Sequence, residues 1–91
     1  MSKASTIRVF SVDDHPLLRE GIATLVNSQP DMELIAQAST GTEAVQVFKQ
    51  HEPDVTLLDL RLPDMSGIDT LIAIRTAFPE ARIIMLTTFE G

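Results

Sequence analysis

Ile7-Arg8-Val9-Phe10-Ser11-Val12-Asp13-Asp14 and Val55-Thr56-Leu57-Leu58-Asp59 are two apolar runs, and both end in carboxylates. Each reads as a buried strand. As parallel neighbours they would bring Asp13, Asp14 and Asp59 to the carboxyl edge of one sheet, where open α/β folds place their ligands. Three carboxylates that close together repel, and a hard divalent cation relieves the repulsion. The pattern outlines a Mg²⁺-dependent phosphoryl-acceptor site.

Working outward, short apolar runs alternate with helical patterns, the signal for βα units on a parallel sheet. Strand one covers about residues 6 to 12. A helix follows, with Pro16 in its first turn and Leu18, Ile22, Leu25 and Val26 as its inward stripe. Gln29-Pro30-Asp31 ends it, and Glu33 to Ala38 is strand two. Thr40-Gly41-Thr42-Glu43 fits a capping box. The second helix then carries Ala44, Val45 and Phe48 to about His51. Strand three is Val55 to Leu58, and Asp59 to Gly67 is a loop. Gly67 is free to take a positive φ there if the turn needs one. The third helix spans Gly67 to Phe78, with Ile68, Leu71, Ile72 and Phe78 inward. Strand four is Arg82 to Leu86, with Ile83, Ile84 and Met85 as a fully buried run. The expected fold is therefore α/β, one unit over residues 1–91, cut after its fourth strand.

Composition narrows the function. Ninety-one residues allow one small domain, and 44% apolar residues are enough for a mostly aliphatic core. The net charge of -6 argues against nucleic-acid binding by this chain, because phosphate contacts need a basic face. No cysteine means no disulfide scaffold and no thiolate metal site. No apolar stretch is long enough to span a bilayer, and Met1 to Thr6 lacks a signal-peptide core. The chain reads as cytoplasmic.

Three segments, taken in order, resemble a response-regulator receiver domain of the NarL/FixJ type: Val12 to Gly21, which opens Val12-Asp13-Asp14-His15-Pro16, then Asp54 to Gly67, and Ile83 to Phe89. The resemblance implies a flavodoxin-like fold with strand order 2-1-3-4, strand five being absent from this chain. It implies that Asp59 is the phosphoacceptor and that a sensor histidine kinase is the donor. Asp14 matches a direct Mg²⁺ ligand, and Asp13 a ligand that often acts through water. The Arg61 carbonyl matches the backbone ligand. Thr87 matches the switch hydroxyl, with the small Thr88 beside it. Relatives of this type usually carry a LuxR-type DNA-binding domain, which this chain lacks. The family's fifth-strand Lys has no candidate, since no Lys follows Lys49.

Plainer readings stand beside these. An Asp at a strand end is often a helix cap or turn former, and Asp64 and Asp69 are assigned to such roles. His15 is expected as a partly exposed neighbour of the site. Arg19 and Glu20 are expected as surface charges, or as part of the helix-one face by which the family meets its kinase, and His51 suits a helix C-terminus. A phosphohydrolase of the haloacid-dehalogenase type needs a second Asp two residues after its nucleophile, and Arg61 occupies that position. The remaining rival is a truncated module that binds Mg²⁺ or the kinase without switching, or that dimerises or swaps through an open strand-four edge.

Overall fold

The computed structural model describes residues 6–87. Strands β1 (Ile7–Val12), β2 (Met32–Ala38), β3 (Val55–Asp59) and β4 (Ile83–Leu86) alternate with helices α1 (Pro16–Asn27), α2 (Gly41–His51) and α3 (Gly67–Ala77). All strand pairs are parallel, and the order is β2-β1-β3-β4. The expected flavodoxin-like arrangement is what forms.

The pleat sends alternate residues to opposite faces. Phe10, Val12 and Leu58 pack on one side with Ala44 and Phe48 of α2 and Ile74 of α3. Val9 packs on the other side with Ile22 and Val26 of α1. Phe48 and Phe78 meet as a tilted ring pair with centroids 5.0 Å apart. The β1–β2 register slips between Val9 and Phe10, so Ile35 is an extra residue on β2.

Local chemistry sets the helix ends. Pro16 opens α1, where a missing N–H costs nothing. In α2, the Thr40 hydroxyl accepts from the Glu43 N–H at 3.0 Å. The Glu43 carboxylate reaches back one residue further than a standard capping box, accepting from the Ser39 N–H at 3.0 Å. At the other end, Glu52 takes a left-handed φ of 42° and its N–H donates to the Phe48 carbonyl. The Arg8 guanidinium donates to the carbonyls of His51 and Glu52 at 2.7 and 2.9 Å, tying the end of α2 to β1.

Three expectations about inward faces need correction. Leu25 is 66% exposed, so of the expected stripe α1 buries Ile22 and Val26 but not Leu25. In α3, Ile68 and Ile72 are 47% and 56% exposed, whereas Thr70 and Ile74 are buried. Apolar residues surround α3, so periodicity does not single out one stripe. Ile84 is 53% exposed, and β4 is not a fully buried run. Ile83 and Met85 face the α2–α3 core, while α1 packs on β1 and β2 and leaves Ile84 uncovered.

Candidate functional site

Val12 pairs with Leu58 across the β1–β3 ladder, so the residues that follow them are neighbours. That register sets Asp13 and Asp14 beside Asp59 at the carboxyl edge. Asp59 is the last residue of β3 rather than the first of a loop, and its ladder partner is Leu86. Thr87 therefore stands one residue beyond that partner, exposed. Thr88, expected beside it, lies outside the described residues.

The two buried acids are held differently. Asp13 accepts from the Ser11 hydroxyl at 3.1 Å and from the His15 N–H at 3.3 Å. Its backbone N–H donates to the Ala38 carbonyl, and the Arg19 guanidinium donates to its carbonyl oxygen. Arg19 is thus partly a site residue rather than a plain surface charge. Asp59 Oδ1 accepts from the Arg61 N–H at 3.1 Å. Lost hydration raises the Asp13 carboxyl above the usual carboxylate range; Ser11, His15 and Arg19 oppose the rise, and the Asp59 charge adds to it. A cation on this edge offsets that cost. The oxygen-rich donor set therefore fits a divalent ion.

Asp14, on the rim, caps nothing visible: the N-cap of α1 is His15, without a side-chain cap bond. Asp14, His15 and Asp59 each offer a ligand atom, and these atoms lie within 4.8 Å of one another. His15 is the partly exposed neighbour the sequence predicts, and its Nδ1 sits 3.4 Å from Asp14 Oδ1 and 3.3 Å from Asp59 Oδ2. The sequence signal was its adjacency to Asp14, which does not say where a ring points.

Two features hold the loop that carries Asp59 and Arg61. Gly67 has no positive φ, so conformational freedom is not its role. A Cβ there would strike the Asp59 carbonyl oxygen and stand 2.8 Å from the Leu60 Cα. Gly67 is needed for close approach, and its N–H donates to the Leu60 carbonyl at 2.8 Å. Gly67→Ala is expected to cost about 1–3 kcal/mol by overpacking, read by urea denaturation, and to displace Asp59. An unchanged midpoint would show that the loop relaxes freely.

Asp64 does more than turn the chain. It accepts from the N–H groups of Gly41 and Thr42 and from the Thr42 hydroxyl at 2.8, 2.9 and 2.8 Å, fastening the loop to the start of α2. These bonds, Gly41 first, hold its carboxyl down at about 2, from an ordinary 3.8. Because the folded value is depressed, its stabilisation is complete above the unfolded value and is lost as pH falls from about 4 to about 2. Asp64→Asn lacks that component. The stability gap between wild type and variant should therefore narrow across this window in acid titrations followed by circular dichroism.

A family model described as the response regulator receiver domain matches residues 9–91. The nitrate/nitrite response regulator protein homolog of Haemophilus influenzae is 44% identical over 85 residues, covering 93% of this chain and 41% of the relative. The nitrate/nitrite response regulator protein NarP of Escherichia coli is 42% identical over the whole chain and 42% of its own length. The chain thus spans about two fifths of the length of these relatives. Among solved structures, a LuxR-family two-component response regulator from Aurantimonas superposes with a TM-score of 0.88 at 37% identity, covering 96% of this chain and 62% of that one. The response regulator domain of Thermotoga maritima CheB gives 0.86 at 38%, covering 94% and 65%. This chain belongs to the response regulator receiver domain family, among the two-component regulators of NarL and LuxR type.

Proposed function

We propose that this chain receives a phosphoryl group on Asp59 from the phosphohistidine of a sensor kinase in the cytoplasm. The observation that carries the reading is the Val12–Leu58 register, which brings Asp13 and Asp14 beside Asp59. An Asp59 carboxylate oxygen forms the new O–P bond as the P–N bond of the donor breaks. The electron pair leaves on the kinase imidazole, which takes up a proton from solvent. Mg²⁺, held by Asp14, Asp59 and the Arg61 carbonyl, with Asp13 acting through water, would neutralise charge on the transferring group and align it. Asp13 and Asp59 are buried, while Asp14 and Thr87 lie exposed on the rim.

The Thr87 hydroxyl then turns inward to donate to a phosphoryl oxygen. That movement biases a two-state surface, a local change with a distant readout. In a longer protein the surface would govern transcription, by analogy with a structural relative, a DNA-binding response regulator of the LuxR family from Staphylococcus aureus. The experiment is intact mass after incubation with acetyl phosphate and Mg²⁺. One added phosphoryl group, lost when the metal is chelated, supports the reading. No gain at any Mg²⁺ concentration sinks it for this chain.

A second reading, pairing of two copies through β4, draws on its place at the end of the sheet and on the uncovered Ile84. Light scattering discriminates: a mass that stays monomeric with rising concentration removes it.

A further inference from the structure

His15 is the feature that the proposed phosphoacceptor chemistry leaves unused. Its Nδ1 and the Asp59 Oδ2 are both sealed from solvent. Donor atoms about 2.1 Å from a common ion lie about 3.0 Å apart in octahedral geometry and about 3.4 Å apart in tetrahedral geometry. The Nδ1 contacts to Asp59 and Asp14, at 3.3 and 3.4 Å, fall in that range. The ring leads directly into α1 and follows Asp14 in the chain, so backbone rather than a long flexible side chain sets its position.

We propose that His15 Nδ1 is a side-chain ligand of the cation held by Asp14 and Asp59, making this a mixed nitrogen–oxygen site. The inference rests on the phosphoacceptor reading for the presence of a cation there, and it extends that reading to the choice of cation. Mg²⁺ prefers an all-oxygen shell and gains little from an imidazole. Mn²⁺ accepts one, and Ni²⁺ and Zn²⁺ favour it. The imidazole is therefore expected to add affinity for borderline metals while leaving Mg²⁺ binding nearly unchanged.

The probe is Mn²⁺ bound to the 91-residue chain, read by electron spin-echo envelope modulation. His15 and His51 are the only histidines, and His51 is exposed at the far end of α2. In His51→Ala, nitrogen modulation should persist, and selective ¹⁵N-histidine labelling should change its pattern. His15→Ala should lose it. By calorimetry, His15→Ala should weaken Ni²⁺ binding at least about tenfold and Mg²⁺ binding by less than about threefold. Mn²⁺ bound in an Asp14-dependent way, with no histidine nitrogen signal in His51→Ala, overturns the inference and leaves the phosphoacceptor reading standing. No cation bound at all overturns both. The labelling arm leaves His15 intact and stays decisive if His15→Ala fails to fold.

Discussion

Asp59→Asn is expected to lower phosphoryl uptake from acetyl phosphate to below about one thousandth of wild type, because an amide has no anionic oxygen to attack phosphorus. The fold should survive. The amide that replaces the carboxylate keeps an oxygen able to accept from the Arg61 N–H, and the change removes a charge from a position with no solvent exposure. Circular dichroism should therefore overlay, with urea midpoints equal to or above wild type. Asp14→Asn makes the necessary contrast. Asp14 lies on the exposed rim and is not part of the proposed bond-making step. Its loss should weaken Mg²⁺ by at least about tenfold while uptake recovers in part at saturating metal. Equal, unrecoverable loss in both variants would mean that the acid cluster acts as one unit. Full uptake by Asp59→Asn would place the acceptor elsewhere and end the assignment.

The strand ends were the legible part of this site. A run such as Val55 to Leu58 must stop somewhere, and an acid at its end can be read from a line of text. Strand order came with the resemblance to receiver domains, because βα alternation alone permits more than one parallel order. What could not be read depended on where side chains turn and how closely backbones pass. Asp64 looks like any loop acid, yet it binds the start of α2, 22 and 23 positions earlier in the chain. Gly67 looks like a turn glycine, yet its constraint is contact with the Asp59–Leu60 backbone. His15 follows Asp14 in sequence, but only the path from β1 into α1 sends its ring between two carboxylates. The stripe of α3 was lost for another reason: Ile68, Leu71, Ile72 and Ile74 offer several apolar faces, and packing against α2 and β3 chose between them.

Phe10→Ala carries the largest expected loss of stability. The ring has no exposure and lies in the middle of β1, in one buried cluster with Ala38, Ala44, Phe48, Leu58 and Ile74. Truncation removes the burial energy of the ring and leaves a void that a sheet held on both sides cannot close, at a cost of about 3–5 kcal/mol. Domains of this size have about 5–15 kcal/mol in total, so the loss is a large fraction of the stability. Urea melts at about 10 °C would measure the difference, and a loss under about 1 kcal/mol would mean that the core repacks. Leu58→Ala separates stability from function. It should cost about 2–5 kcal/mol by the same mechanism, but Leu58 immediately precedes Asp59 and pairs with Val12. Slack there reaches the acceptor. Corrected for folded fraction, Phe10→Ala should take up the phosphoryl group at close to the wild-type rate, while Leu58→Ala should be slower. Equal corrected rates would show that the β1–β3 ladder, rather than the packing beneath it, positions the acids.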